Sequence, residues 1–222
     1  MTSAINWTTL NYGVVLGRFQ PLHLGHMEYL QAARAKTDQL VVGITNPDAS
    51  ALIYDDADPR RSRSENNPFS YFDRYQMVAS SLFELGWSLN DFIIVPASIN
   101  KPHEMKPYLP PASVTTVYIT VYDKWGERKA DLVRQLGYSV SVLWRRDPND
   151  RLTSGTDIRK AMRLGEPWRK LVPSAVARYL DQSGLAAGLA EQAAHATEVP
   201  VMLPATPGTE STTHEATSEC RA

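Results

Sequence analysis

The chain has 222 residues and a mass of 24.8 kDa, which suits one globular domain with appendages and a sizeable core. Its 23 Lys and Arg nearly balance its 24 Asp and Glu, so the charge favours neither a nucleic-acid partner nor a membrane surface, and neither is expected. The single cysteine, Cys220, argues against a disulfide framework or a cysteine-rich zinc site. Residues 1–11 lack the pattern of a signal peptide, and we therefore expect a cytoplasmic location.

The first predicted element is an apolar run at residues 12–16 that is closed by Gly17, a pattern typical of a buried parallel strand. A helical pattern follows at 25–36, and a polar segment at 46–67 predicts a long loop of the kind that is usually functional or mobile. The remaining predicted strands are 40–44, 92–95, 117–121 and 139–143, and the remaining helices are 69–85, 127–136, 154–164 and 174–180. This alternation predicts an α/β fold with a parallel sheet flanked by helices.

The predicted domain organisation has three parts. Residues 1–11 are an N-terminal extension, and residues 12–180 form a single folded domain. From residue 181 the composition shifts to Ala, Thr, Glu, Ser and Pro without any aromatic residue. We therefore predict that residues 181–222 are a disordered tail.

The first strand ends in the sequence GRFQPLHLGH, at positions 17–26, and a helix begins there. Gly17 allows a close approach of the backbone to a ligand, and the helix N-terminus favours phosphate. His23 and His26 are three residues apart at this helix end, so both imidazoles can face one anion, and Gly25 leaves room for it. The alternative is a pair of ordinary surface histidines, which is disfavoured because two of the five histidines of the chain flank a glycine at a strand-to-helix junction.

A second segment, TSGTDIR at positions 153–159, opens the helix after the last strand. Ser154 or Thr153 can cap this helix, and a plain capping box is one interpretation. In the other, the hydroxyls of Ser154 and Thr156, the main-chain N–H groups and Arg159 converge on a second phosphate.

These two segments resemble the HxGH and (S/T)xGTxIR-type signatures of the nucleotidylyltransferase superfamily, and in particular those of archaeal-type nicotinamide mononucleotide (NMN) adenylyltransferases. The sequences NPFS at 67–70 and GEPW at 165–168 support the resemblance, which covers residues 14–180 in order. It implies a Rossmann-like domain that binds an NTP together with Mg²⁺ and that can form a homo-oligomer.

The resemblance implies a role for each matching residue. His23, His26 and Arg159 would be catalytic, stabilising charge on the triphosphate, and Mg²⁺ would bridge triphosphate oxygens without a dedicated metal-ligating side chain. The implied NTP-binding residues are Gly17, Arg18, Phe19, Gly25, Ser154, Gly155 and Thr156.

Two departures from the adenylyltransferase pattern concern the acceptor. The strand at 117–120 continues into the bulky, cationic sequence VYDKWGERK instead of a small Ser-Gly-Asn-Pro turn, and the Trp of an Asn-x-x-Trp segment is missing near residues 101–108. Tyr108 and Trp125 are the aromatic residues that could replace it. We predict that Lys124, at the end of a strand, and Lys101 bind the acceptor.

The same sequence, VYDKWGERK, contains Arg128 and Lys129, which we predict to lie on a solvated helix face. Extra cations and a lost nicotinamide platform resemble the cytidylyltransferases that place CMP on phosphonates in natural-product pathways, of the phosphonoformate type found in phosphinothricin biosynthesis. That resemblance favours CTP with a small anionic phosphonate, and ATP with NMN is the alternative.

Other phosphate-binding signatures are missing from the sequence. It contains neither a GxxxxGK[ST] loop nor a GxGxxG fingerprint, which disfavours a kinase, a GTPase or a dehydrogenase. A catalytically inactive nucleotide sensor remains an alternative, although His23, His26 and Arg159 argue against it. Another is an interaction protein whose tail is the functional part.

Overall fold

The computed structural model describes residues 10–48, 52, 54, 56 and 59–198. Most of the predicted N-terminal extension, parts of the predicted loop 46–67, and residues 199–222 lie outside the described residues. The strands are β1 (Tyr12–Gly17), β2 (Gln39–Thr45), β3 (Phe92–Ala97), β4 (Thr115–Val121) and β5 (Ser139–Arg145). The helices are α1 (Leu24–Arg34), α2 (Tyr71–Glu84), α3 (Pro102–Met105), α4 (Lys124–Gln135), α5 (Gly155–Arg163), α6 (Ser174–Gln182) and α7 (Leu185–Glu198).

The five strands form one parallel sheet in the order β3-β2-β1-β4-β5. The chain leaves β1 toward one edge of the sheet and later returns to the other side of β1, so the topological switch point lies between β1 and β4. This arrangement confirms the prediction of a Rossmann-like α/β fold. None of the described helices is long and apolar enough to cross a membrane.

Each face of the sheet is covered by its own hydrophobic core, as a parallel sheet requires. Residues such as Val15 and Val42 point into the core shared with α1, α2, α5, α6 and α7. Their neighbours Val14 and Val41 point into a second core, shared with α3 and α4. The alternation of side chains along each strand therefore assigns α1 and α5 to one face and α4 to the other.

The sheet is open at the switch point. The pairing of β1 with β4 in these described strands runs from Tyr12–Thr115 to Val14–Val117, and the two strands then diverge. The hydroxyl of Tyr29 enters this gap, where it donates to the carbonyl of Tyr118 at 2.5 Å and accepts from the amide of Leu16 at 3.4 Å. A side chain thus replaces backbone pairing and leaves space between the carboxyl ends of the two strands.

The start of α4 differs from the prediction, which placed it at residue 127. Asp123 is the N-cap, and its carboxylate accepts from the amide of Gly126 at 3.0 Å. Gly126 is needed at this point because a Cβ there would lie 3.0 Å from the Cα of Val121. The helix therefore begins directly at the end of β4.

The prediction that disorder begins at residue 181 is wrong for the segment up to Glu198. Helix α7 packs against α5 and α6, and it buries Ala186 and Leu189 in the first core. The alanine-rich composition that suggested disorder also has a high helix propensity, and a few apolar residues at helical spacing are enough to dock such a helix.

Candidate active site

A cavity of about 410 Å³ lies at the carboxyl ends of the strands, at the switch point between β1 and β4. The first turns of three helices border it, with Gly25 from α1, Gly126 from α4 and Gly155 from α5 among the lining residues. The N–H groups in the first turn of a helix have no partner within the helix, and they carry partial positive charge. Three such ends around one cavity make it suitable for a polyanion.

The two histidines of the first segment lie together in this cavity. His23 is the N-cap of α1, and its ring stacks on that of His26 with the centroids 3.6 Å apart. Nδ1 of His23 accepts from the main-chain amide of His26 at 3.3 Å, so Nε2 carries the proton of the neutral ring. Burial, reinforced by the charge of Arg151, lowers the pKa of His23 to about 3. His23 is thus a neutral hydrogen-bond donor at physiological pH.

The buried ring of Phe19 packs against the ring of His26. Its backbone has a positive φ of 50°, which is strained for a bulky residue, and its side chain is completely buried. The ring makes an edge contact with His26 at a centroid distance of 4.9 Å, and it would lie 2.6 Å from a Cβ at Gly17. Gly17 is therefore needed for this ring, and Phe19, which was predicted to bind NTP, reaches the cavity as part of its floor.

The second segment meets the first at Gln20. Nη1 of Arg159 donates to the carbonyl of Gln20 at 2.5 Å, and a Cβ at Gly155 would lie 2.6 Å from that same oxygen. Arg159 is 99% buried and also donates to Oδ1 of Asn66 at 2.8 Å. Burial lowers the pKa of Arg159 to about 10, so the guanidinium remains cationic at neutral pH. Gln20 and Gly155 are 135 residues apart in sequence, and their contact joins the two motifs into one surface.

The hydroxyls of the second segment have structural partners. Oγ of Ser154 donates to the carboxylate of Asp157 at 2.5 Å and accepts from its amide at 3.2 Å, which is a capping interaction. Oγ1 of Thr156 accepts from Arg159 at 3.3 Å. Both residues line the cavity, and the amides of Gly155 and Thr156 belong to the first turn of α5, where intrahelical acceptors are lacking.

Gly25 and Arg18 complete the predicted nucleotide site. Both line the cavity, and a Cβ at Gly25 would lie 3.3 Å from the ring of His23, so this glycine accommodates the imidazole itself. Nη1 of Arg18 lies 3.4 Å from Oδ1 of Asn67. All ten residues predicted for catalysis and NTP binding therefore border the same cavity.

Arg74 was not predicted as part of the site, although it shapes the edge of the sheet. Its buried guanidinium donates to the carbonyls of Arg18, Thr45, Asn46 and Ser70 at 2.6–3.1 Å. It thereby ties the chain after β1 to the chain after β2. The signal in the sequence was an arginine on the apolar side of a helix, where a charge requires buried acceptors.

The structure does not place Lys124 and Lys101, which are predicted to bind the acceptor, among the residues that line the cavity. Both side chains are exposed, and Lys101 forms an ion pair with Glu104 at 3.1 Å. Lys124 is the first residue of α4, and one helical turn places it on the outer face together with Arg128. Tyr108 is also exposed away from the cavity.

The opposite side of α4 faces the cavity. Trp125 and Lys129, four residues apart, are both buried and line the cavity, so the prediction of a solvated Lys129 is wrong. Arg151 also lines it, held by the carboxylate of Asp123 at 2.8 Å and over the ring of Tyr122 at 4.7 Å. The missed signal is the spacing of Trp125, Lys129 and Val133, which puts a lysine on an apolar stripe.

The side chains that line the cavity indicate how a metal ion would be bound there. Among the residues that the structure describes, no group of three or more His, Cys, Asp or Glu could hold one, and Asp123 is the carboxylate that lines the cavity. This donor set fits an ion that arrives with phosphate oxygens and water, as Mg²⁺ commonly does, rather than a protein-built cage.

Comparison with known proteins gives consistent results. A family model described as cytidylyltransferase-like matches residues 14–161. A phosphonoformate cytidylyltransferase of Streptomyces viridochromogenes is 43% identical over 173 residues, which are 78% of this chain and 92% of that protein. A nicotinamide-nucleotide adenylyltransferase of Pyrococcus abyssi is 30% identical over 172 residues, which are 77% of this chain and 82% of that protein.

Among solved structures, a bifunctional NMN adenylyltransferase/ADP-ribose pyrophosphatase of Francisella tularensis, in complex with AMP and a manganese ion, matches with a TM-score of 0.57. At 14% sequence identity, this similarity concerns the fold alone. It covers 85% of this chain, which spans about half (54%) of the length of that protein.

Proposed function

The chain belongs to the cytidylyltransferase-like family of nucleotidyltransferases, and on that premise we propose that it transfers CMP from CTP to phosphonoformate or a similarly small anionic phosphonate. Pyrophosphate is the second product. The observation that carries the proposal is the junction of Gln20 with Gly155 and Arg159, which supports one continuous phosphate-binding surface formed by two helix N-termini.

The reaction needs little covalent assistance from the protein. A phosphonate oxygen of the acceptor, already ionised, attacks the α-phosphorus of CTP, and the bond from that phosphorus to the bridging oxygen breaks. The electron pair of the broken bond leaves with pyrophosphate, so charge grows on the β-phosphate. Catalysis therefore consists of holding two anions in line and of stabilising the charge of the leaving group.

The residues of the cavity suit these tasks. His23, neutral with its proton on Nε2, and the neighbouring His26 are assigned as hydrogen-bond donors toward the α- and β-phosphates. The first-turn amides of Gly155 and Thr156 and the cation of Arg159 are assigned to the β- and γ-phosphates. Mg²⁺ is the ion that we expect with the triphosphate, and it would supply further neutralisation of the leaving pyrophosphate.

The choice of nucleotide and acceptor rests on different support. Identity of 43% to a phosphonoformate cytidylyltransferase favours CTP and phosphonoformate. A second candidate, transfer of AMP from ATP to NMN, is favoured by the 30% identity to adenylyltransferases and by Trp125 and Tyr122, whose aromatic rings border the cavity. The expected homo-oligomer stays a prediction.

The test is a matrix of the four NTPs against phosphonoformate, methylphosphonate and NMN, with pyrophosphate release as the readout. We expect CTP with phosphonoformate to have the highest kcat/KM. If ATP with NMN is the best pair, the second candidate replaces the first. If none of the pairs releases pyrophosphate, while a variant lacking both histidines binds CTP as the wild type does, nucleotidyl transfer itself is contradicted.

A further inference from the structure

Lys129 is a lysine in an unusual position, with 9% of its surface exposed at the wall of the cavity. Its ammonium lies 3.4 Å from the carbonyl oxygen of Leu16 and 5.9 Å from the centroid of the Tyr29 ring. Lysine is rarely buried to this extent, because removing an ammonium from water costs free energy. Its position at the cavity wall brings this positive charge within reach of an anion bound in the cavity.

The position of Lys129 separates it from the two phosphate-binding segments. Those segments begin α1 and α5, which pack on one face of the sheet, whereas α4 packs on the other face. The ammonium of Lys129 reaches the gap between β1 and β4 from the α4 side, next to Leu16. A triphosphate held by α1 and α5 leaves the α4 wall to the uncharged nucleoside of CTP and to the second substrate, and of these two the cation of Lys129 suits an anionic group of the second substrate.

The two cations on the α4 wall, Arg151 and Lys129, lie at different depths in the cavity. Arg151 lies between the two sides, ion-paired with Asp123 and stacked on Tyr122, and its charge acts on His23. Lys129 lies deeper, at the split of the sheet. An acceptor with two anionic groups can present one to the α-phosphorus and the other to a cation behind it.

We propose that Lys129 binds the anionic group of the acceptor that does not react, and that it determines specificity for small polyanionic acceptors. This inference rests on the proposed function, since it requires a nucleotidyl transfer with an acceptor in this cavity. Lys129 orients the acceptor by its second anionic group, and the attacking phosphonate oxygen is then left facing the α-phosphorus. For phosphonoformate, the group bound by Lys129 is the carboxylate.

The test compares Lys129→Met with Arg128→Met. Methionine keeps an unbranched apolar stem of nearly the length of lysine and removes the ammonium with its charge and hydrogen-bond donors, and Arg128 is the neighbouring residue on the exposed side of the same helix. With CTP saturating, we expect Lys129→Met to raise KM for phosphonoformate roughly tenfold or more, as expected from the loss of a charge-assisted hydrogen bond. KM for CTP should stay near the wild-type value, and Arg128→Met should resemble the wild type in both.

Comparing two acceptors distinguishes acceptor binding by Lys129 from a merely structural role of this residue. Methylphosphonate lacks the carboxylate, so Lys129→Met should impair phosphonoformate much more than methylphosphonate and reduce the preference between them. Equal loss for both acceptors, or a rise in KM for CTP instead, would overturn the inference. If Lys129→Met does not fold, as judged by circular dichroism, Lys129→Gln is used and the same preference ratio decides.

Failure of the proposed function gives a different result. If the wild type prefers ATP and NMN, the phosphonate assignment fails on that result alone, because NMN has no anionic group besides the phosphate that reacts. The inference is then tested by competition: phosphonoformate should inhibit the transfer to NMN, and Lys129→Met should weaken this inhibition. Unchanged inhibition by phosphonoformate in Lys129→Met would overturn the inference.

Discussion

The two walls of the cavity hold their cations in different ways. On the α1 and α5 side, Arg159 is fixed by the backbone carbonyl of Gln20 and by Oδ1 of Asn66, and Gly155 allows the two segments to touch. On the α4 side, Arg151 lies over the ring of Tyr122 and pairs with a carboxylate, and Lys129 lies near the ring of Tyr29 and contacts a backbone carbonyl. The first wall is rigid and suited to a group common to all nucleotides, whereas the second is composed of individual side chains.

This difference indicates that the α1 and α5 wall serves catalysis, whereas the α4 wall determines which acceptor is selected. Preorganised amides and buried arginines lower the barrier because they need no rearrangement as charge develops. Side chains on one helix face can be exchanged without disturbing that machinery. We therefore expect changes on the first wall to affect kcat and changes on the second to affect the acceptor.

The largest effect is expected for the histidines. His23→Ala or His26→Ala removes a donor to the developing charge and should lower kcat roughly 10²- to 10³-fold, as for other donors of this kind. Pyrophosphate release measures the effect, and His103→Ala, at an exposed histidine outside the cavity, is the control. Near-normal turnover in a folded His23→Ala or His26→Ala protein would remove that residue from the catalytic set.

A smaller effect is expected when the junction between the two segments is disturbed. In Gly155→Ala, the new Cβ would lie 2.6 Å from the carbonyl oxygen of Gln20, so the start of α5 must move. We expect a lower thermal midpoint, corresponding to about 1–3 kcal/mol, together with reduced kcat.

The matched control for that change is Gly188→Ala, in α7, where nothing lies within 4 Å of the new Cβ. Alanine in the middle of a helix should leave stability equal or slightly higher. If Gly155→Ala has wild-type stability and kcat, the close contact between the segments is not needed for catalysis.

The smallest effect is expected for Lys124→Ala. This side chain is exposed on the outer face of α4, so KM for the acceptor and kcat should both resemble the wild type. The comparison with Lys129→Met tests the assignment of the two faces of α4 directly. An increased KM for the acceptor in Lys124→Ala would return this residue to the acceptor site.

The residues on the α1 and α5 wall could be predicted from the sequence because of how they are connected to the sheet. His23, Gly25 and His26 lie within nine residues of the end of β1, and Ser154 to Arg159 open the first α-helix after β5, so each segment is tied to the carboxyl end of a strand. Parallel strands bring their carboxyl ends to one edge, and the topology then places the two segments side by side.

The second wall was predicted wrongly because the helix was started at residue 127 instead of 124, which left Trp125 out of the helical spacing that places Lys129 on the buried side. A helix starting at residue 127 would leave Lys124 in a loop at the end of β4. The cap formed by Asp123 makes Lys124 the first helical residue instead, and each residue then advances about 100° around the axis. Lys124 is turned outward and Lys129 inward. Helix α7 was missed for another reason, since its burial depends on α5 and α6, which are distant partners.

The short pairing of β1 with β4 has a consequence for how related enzymes can differ in substrate size. Pairing ends at Val14–Val117, and the space above it belongs to the cavity. Each additional rung of the ladder would raise the floor by about 3.3 Å, and each rung lost would lower it by as much. Such a change needs no substitution among the residues that contact the ligand. The number of residue pairs between β1 and β4 thus sets the depth of the cavity. The hydroxyl of Tyr29, which bonds to both strands beyond the last pair, limits that number.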